Sequence, residues 1–270
     1  MVIKTQDDFN LKMIADSGQC FRWKQVGKNT YKIPAFGRVL CISGQEGNYE
    51  LDCTEQEYET CWKRYFDMEN DYASIRGRIP ETDAYLYHAS QYGLGIRILQ
   101  QEPWETLATF LLSQRKNIPA IKQAVEMLCI QAGTRIENQD EEIYAFPTPE
   151  QIAGMSGEQM DACRLGYRAK YVRRLGEIFA LGELTVEGLS ALTDKELLET
   201  LLGLYGVGVK VASCTALFGF HRLDLFPRDV WINRVLEERY PQGFPYEEYA
   251  PYNGIMQQYL FYFRRLGERS

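Results

Sequence analysis

The sequence predicts an α+β fold, with an N-terminal twisted antiparallel β-sheet over residues 1–82 packed on a larger all-α body over residues 83–270. Three observations predict it. Up to residue 53 the chain runs in short β-forming stretches separated by glycine turns. From about residue 82 the apolar spacing becomes helical. Within that helical half, a glycine hairpin at residues 203–208 separates two helical patterns, with Lys210 just beyond it.

The β-runs fall at residues 20–24, 30–36, 38–43 and 49–53, spacings that suit a meander. Thr54 and Glu57, three apart, form a capping-box pattern that opens a helix. Helical stretches follow at residues 107–112, 118–132, 149–155, 171–181, 186–192, 194–202, 210–218, 229–240 and 252–266. Prolines 103, 147, 149, 227, 241, 245 and 251 fall at their edges, where a missing N–H does no harm. There is no internal repeat and no low-complexity linker.

A hydrophobic content of 45% with 13% aromatics excludes disorder. No apolar run approaches the ~20 residues that span a bilayer. The N-terminus carries no leader pattern, so a cytoplasmic protein is expected. The seven cysteines, at 20, 41, 53, 61, 129, 163 and 214, are too widely spaced for a zinc ribbon or an iron–sulfur cluster. They suit buried apolar positions in a reducing compartment. The net charge of −7 counts against a nucleic-acid partner. Its distribution counts the other way: residues 164–174 hold five cations and no acid, while acids gather at 137–142 and 237–238. A solvated basic helix face would show the same run.

Gly206 and Gly208 permit positive φ and close backbone approach at the hairpin. Amides at the start of the following helix would face an anion such as phosphate. A lysine beside such a site is a candidate amine nucleophile where its charge is disfavoured. Asp229 follows at another helix start. A phosphate-binding P-loop is excluded, because Val209 separates Gly208 from Lys210 and Val211 follows it. A dinucleotide fingerprint is excluded too, because a helical pattern rather than a strand precedes the glycines. A glycine turn between packed helices, with Lys210 solvated and Asp229 only a cap, is the purely structural alternative.

Five motifs in order resemble the 8-oxoguanine DNA glycosylases of the helix-hairpin-helix DNA glycosylase superfamily, in its prokaryotic branch. They are Ser17-Gly18-Gln19-Cys20-Phe21-Arg22-Trp23, residues 95–105, residues 165–171, residues 205–212, and Phe226-Pro227-Arg228-Asp229-Val230. The resemblance implies a twisted sheet beside two helical subdomains that flank an active-site cleft. It implies base excision from double-stranded DNA containing 8-oxoguanine, by a monomer associated with the nucleoid.

Excision requires the nucleotide to leave the stack. By the resemblance, Lys210 is the nucleophile at the deoxyribose C1′, leaving a Schiff base from which β-elimination nicks the strand. Asp229 balances positive charge on the sugar, and at a helix start its own charge is favoured. The Gly18 carbonyl reads the N7 proton that distinguishes 8-oxoguanine from guanine. Gln257 reads the base edge, Phe261 stacks on the base, and Cys214, on the helix face of Lys210, forms a pocket wall. Gln257 and Phe261 are four apart, hence on one helix face.

On the DNA side, the resemblance assigns Tyr167 as the wedge and Arg168 as the contact to the widowed cytosine. Arg115, Asn117, Trp231 and the hairpin residues Gly206, Gly208 and Val209 complete the contacts. No cofactor is required and no iron–sulfur cluster is expected; carbonyls of Leu202, Leu204 and Val207 are candidates for a monovalent cation. The chain departs from the eukaryotic pattern in four places. Arg115 stands where an asparagine plugs the helix, and Ala120 where a second cytosine-reading arginine is expected. Trp231 replaces a histidine, and Arg264 replaces the acid that pairs with it.

These changes leave the excision chemistry in place and weaken the basis for opposite-base discrimination. Two alternatives carry less of the pattern. A glycosylase for alkylated bases usually lacks the hairpin lysine. A non-catalytic helix-hairpin-helix module that only holds DNA has no need of Asp229, Gly18 or Gln257.

Overall fold

A computed structural model of the chain describes residues 1–137 and 141–268; residues 138–140, within the acidic stretch 137–142, and residues 269–270 lie outside the described residues. Five antiparallel strands, β1 (Val2–Lys4), β2 (Lys24–Gly27), β3 (Thr30–Ala35), β4 (Arg38–Gln45) and β5 (Asn48–Leu51), form one sheet in the order β1-β5-β4-β3-β2. β3 shows the alternation that a half-buried strand needs: Tyr31, Ile33 and Ala35 face inward, Thr30, Lys32 and Pro34 outward.

Residues 20–23, expected as strand, are irregular. Three of the four are buried, but not on alternating faces of a strand. Cys20 and Trp23 are buried in the core under the sheet, while Phe21 is buried in the core of the helical body. β1, not foreseen, is only three residues long, too short to show a period.

The capping box at Thr54 and Glu57 forms as expected and opens a helical stretch over 55–65. In it α2 (Glu55–Glu57) and α3 (Lys63–Tyr65) flank a π-helical turn, Tyr58–Trp62. The other helices are α1 (Leu11–Asp16), α4 (Tyr72–Arg76), α5 (Ala84–Tyr92), α6 (Pro103–Leu112), α7 (Ile118–Ala132), α8 (Pro149–Ala153) and α9 (Gly157–Ala162). They continue as α10 (Ala169–Ala180), α11 (Val186–Ser190), α12 (Asp194–Leu202), α13 (Val209–Phe218), α14 (Val230–Arg239), α15 (Tyr246–Tyr249) and α16 (Asn253–Tyr262). A second π-helical turn, Phe263–Gly267, extends α16. None of the described helices is long and apolar enough to cross a membrane.

Two hydrophobic cores result. Ile14, Ile33, Leu40, Ile42, Trp62 and Phe66 lie under the sheet, and Leu86, Leu111, Val125, Leu201, Leu217 and Leu260 lie inside the helical body. Residues 95–101 run along the seam between them. Leu99 is buried in the sheet's core, while Ile96 and Ile98 are buried in the helical one.

The Gln19 side chain pins this seam. Its Nε2 donates to the Arg97 carbonyl at 2.8 Å and its Oε1 accepts from the Leu99 amide at 2.8 Å. Its own carbonyl accepts from Gln101 Nε2 at 2.9 Å. Arg97, 1% exposed, donates to the carbonyls of Asp8, Asp67 and Asn70, pairs with Asp7 and stacks 4.5 Å from the Tyr72 ring. Burying a guanidinium is costly unless its donors are engaged, and here they are.

Gln19→Leu keeps the bulk of the side chain but orphans a buried amide and a buried carbonyl. The expected loss of unfolding free energy is about 2–4 kcal/mol, read from denaturant titration of the two proteins.

Candidate active site

The hairpin is built by α12, the loop 203–208 and α13. Thr193 and Glu196 cap the start of α12 reciprocally, and the turn closes with the Val207 amide donating to the Leu204 carbonyl at 3.0 Å. The two glycines serve different ends. Gly206 has φ +88, and a Cβ there would lie 2.4 Å from Tyr171 Cγ. Gly208 departs from the expected positive φ: at φ −101, ψ 175 it is extended and acts as the N-cap of α13. A Cβ at Gly208 would meet nothing within 4 Å. Gly206 is therefore required by packing, while Gly208 presents bare backbone outward.

Gln114 ties the hairpin to α6. Its Nε2 donates to the Gly206 carbonyl at 2.9 Å and to the Leu111 carbonyl at 3.1 Å. This anchoring role was not foreseen; the legible signal was an amide side chain just past the end of an apolar helix.

Lys210 sits in the first turn of α13, half-buried. Its Nζ donates to Ser113 Oγ at 3.3 Å and lies 4.7 Å from the centroid of the Phe110 ring. Ser113 in turn donates to the Phe110 carbonyl at 2.6 Å. Neither contact of the amine is a carboxylate, and the positive end of the α13 dipole faces the same space. One turn on, Cys214 is buried; burial pushes its thiol pKa up, with Lys210 beside it pulling the other way. Asp229 caps α14, its Oδ1 accepting from the amides of Trp231 and Ile232, both at 2.9 Å. The capping and chemical readings of Asp229 coexist, since only one oxygen is used in the cap.

Gly18, Lys210, Cys214, Asp229, Gln257 and Phe261 all line one pocket, with Phe110 and Phe218 beside them. The structure thus brings together the six residues expected for catalysis and base recognition. They come from the turn after α1 (Gly18), from α13 (Lys210 and Cys214), from the cap of α14 (Asp229) and from α16 (Gln257 and Phe261). The cavity measures about 40 Å³, room for a few waters but not for a purine.

Phe261 accounts for the tightness. Gly18 has φ +80, and a Cβ on it would stand 3.2 Å from Phe261 Cε1. The Phe261 ring thus closes on Gly18 at one wall of the pocket.

Lys210 and Asp229 also line an outer groove of about 900 Å³. Arg115, Lys116, Arg228 and Arg234 line it as well, against the single further acid Glu237. Gly208, Val209 and Trp231 are part of the same surface. The pocket therefore adjoins a cationic groove through Lys210 and Asp229, although the whole chain is acidic.

Other expected DNA contacts are placed differently. Asn117 caps α7, accepting from the Ala120 amide at 3.0 Å. Arg168 is folded inward: its Nε donates to the Gln114 carbonyl at 2.8 Å, and its guanidinium lies 4.4 Å from the Tyr167 ring. Tyr167 is 44% exposed.

Tyr205, 53% exposed on the hairpin and edge-on to Tyr171 at 4.8 Å, adds an aromatic that the motifs had not marked as a contact. Arg264 pairs with Glu238 at 2.8 Å and with Glu268. Among the described residues no cluster of three or more His, Cys, Asp or Glu side chains is placed to hold a metal.

Residues 1–107 match the 8-oxoguanine DNA glycosylase N-terminal domain, and residues 108–242 match the HhH-GPD superfamily base excision DNA repair proteins. The chain belongs to the HhH-GPD superfamily, in the group of 8-oxoguanine DNA glycosylases. It is 31% identical to the N-glycosylase/DNA lyase of Saccharomyces cerevisiae, over 85% of this chain and 68% of that protein.

Among solved structures it is similar to MBOgg1 in complex with a low-affinity DNA ligand, with a TM-score of 0.93 and 35% identity over 99% of this chain and 96% of that one. It is also similar to the Clostridium acetobutylicum 8-oxoguanine glycosylase/lyase bound to double-stranded DNA with cytosine opposite 8-oxoG. There the TM-score is 0.90 and the identity 31%, over 99% of this chain and 98% of that one.

Gly206→Ala is expected to cost about 2–4 kcal/mol of stability, from strain and overpacking against Tyr171. Gly208→Ala is expected to stay within about 1 kcal/mol of wild type, yet to weaken duplex binding about tenfold, because the added methyl keeps a phosphate off the bare backbone. Thermal melting and fluorescence anisotropy on the same two variants check the pair.

Proposed function

We propose that this protein is a bifunctional DNA glycosylase that excises 8-oxoguanine from duplex DNA and then cleaves the abasic strand. The observation that carries the reading is the convergence of Lys210 and Asp229 with Gly18, Gln257 and Phe261 on one pocket that adjoins a cationic groove. The alkylated-base and purely DNA-holding alternatives leave either Lys210 or the Gly18 and Gln257 walls without a task.

The groove holds the backbone through Arg115, Lys116, Arg228 and Arg234 and through the amides of α13, with Tyr167 as the wedge. Backbone amides bind phosphate without adding lysines, which reconciles the partner with the net charge. Carbonyls of Leu202, Leu204 and Val207 supply neutral oxygens suited to a monovalent cation at the hairpin; the Leu204 oxygen accepts the Val207 amide and keeps a second lone pair for it.

The extruded base enters between Phe261 and Cys214. Its N7 proton meets the Gly18 carbonyl, an acceptor that repels the bare N7 of guanine, and its pairing edge meets Gln257. The neutral Lys210 amine attacks C1′ as the glycosidic bond breaks, and the departing base carries away the bonding pair. Asp229 stabilises the positive charge on the sugar. Loss of an amine proton and ring opening give the Schiff base. Abstraction of a C2′ proton then expels the 3′ phosphate. We place this chemistry on chromosomal DNA in the cytoplasm.

Borohydride reduction of a mixture with an 8-oxoguanine duplex should yield a covalent adduct for wild type. Lys210→Gln should give none while still binding the duplex. An adduct persisting in that variant would remove Lys210 as the nucleophile.

We further propose that cytosine opposite the lesion is only weakly preferred. Ala120 cannot reach a base, and Arg168 must first give up its bonds to Gln114 and Leu165. One good bidentate contact is worth ~1–3 kcal/mol. Single-turnover excision opposite C, A, G and T is expected to span less than about a hundredfold, and a larger cytosine preference overturns the idea.

A further inference from the structure

We propose that Arg265 is a further specificity-determining residue, donating a hydrogen bond to a purine carbonyl beside N7 of the flipped base. The inference rests on the glycosylase reading above. Arg265 follows Phe261 by one helical turn, and its guanidinium lies 5.2 Å from the centroid of that ring. One end is fixed, with Nη2 donating to the Asp16 carbonyl at the end of α1. The other end is not: Nη1 is buried and has no hydrogen-bond partner among the described residues.

That orphan donor points at the recognition turn. A Cβ built on Gly18 would lie 3.3 Å from Nη1 and 3.2 Å from Phe261 Cε1. Arg265, Phe261 and Gly18 therefore meet at one end of the base pocket. A buried N–H left unpaired costs free energy that a ligand acceptor would recover. Burial lowers the Arg265 pKa below the ordinary arginine value, the mark of a cation whose desolvation is only partly offset.

The chemistry of the base matches this pair of groups. Along the edge that meets Gly18, 8-oxoguanine presents the 6-carbonyl, the N7 proton and the 8-carbonyl in sequence. The Gly18 carbonyl accepts from the centre, and a cationic donor beside it meets one of the flanking oxygens. Phe261 lines the cavity and Arg265 stands beside the ring without lining it; on this proposal the ring movement that admits a purine uncovers the donor at the same time. Arg265 thus makes its contact only with a base that has displaced Phe261.

The test uses Arg265→Met, which keeps length without a donor, and Arg265→Lys, which keeps a donor. Two rates are measured for each protein: single-turnover excision of 8-oxoguanine, and incision of a preformed abasic site, which needs Lys210 but no base. In Arg265→Met the ratio of excision to incision is expected to fall about tenfold to a hundredfold, the worth of one charge-assisted hydrogen bond. Arg265→Lys is expected to recover part of that ratio.

A ratio unchanged in Arg265→Met, or equal losses in the methionine and lysine variants, overturns the proposal in favour of a packing role. Wild-type excision on the same duplex is the control for the underlying reading. If wild type leaves 8-oxoguanine intact, that reading fails on its own account.

Discussion

The geometry of the site depends on how the Gln19 amide clamps the seam between the two cores. Gly18 belongs to the N-terminal half, whereas Lys210, Asp229, Gln257 and Phe261 belong to the helical body. On the proposed reading Gly18 supplies a recognition carbonyl, which works only if it stands at a set distance from Lys210, so the two cores must be locked together at this place. The Gln19 side chain does so with two bonds to the backbone of residues 97–99, and Gln101 adds a third to its carbonyl. Arg97 extends the lock by gathering Asp7, Asp8, Asp67 and Asn70 around one buried guanidinium. Both groups are polar and fully engaged, so a slip of the seam leaves buried donors unpaired.

The hairpin shows the same division between building and binding. Gly206 is held by Tyr171 and by Gln114, which makes the turn part of the scaffold. Gly208 faces open space with its backbone bare. A protein carrying a net charge of −7 can hold a polyanion because Arg115, Lys116, Arg228 and Arg234 line one groove and because the first turn of α13 carries no acid.

Much of this was legible in the sequence. The capping box at Thr54, the long period of α7 and the proline boundaries are local signals, and local signals survive into the fold. What misled was burial shared between two cores: residues 20–23 carry β-forming apolar types because Phe21 is buried in one core while Cys20 and Trp23 are buried in the other. No local pattern distinguishes the two cases. For the site, the resemblance carried by the five motifs was enough to name six residues that line one pocket. Side-chain direction was not: the inward Arg168 and the capping Asn117 follow from hydrogen bonds formed only in three dimensions.

Those internal bonds bear on how the protein can discriminate. Phe261 rests against Gly18, and Arg168 rests on the Gln114 carbonyl. On the proposed reading, each would give up an existing contact before touching DNA, so a correct base would gain the new contact less the cost of the old one. Binding energy from the groove, which is indifferent to sequence, can offset these costs. On the proposed reading of the site, a guanine that reached the pocket would bring the same stacking surface but would meet the Gly18 carbonyl with a lone pair. Its net gain would be smaller by that repulsion, and Phe261 would be held aside less often. Selectivity on this account resides in the difference between displacing Phe261 and satisfying Gly18, rather than in the strength of either contact alone.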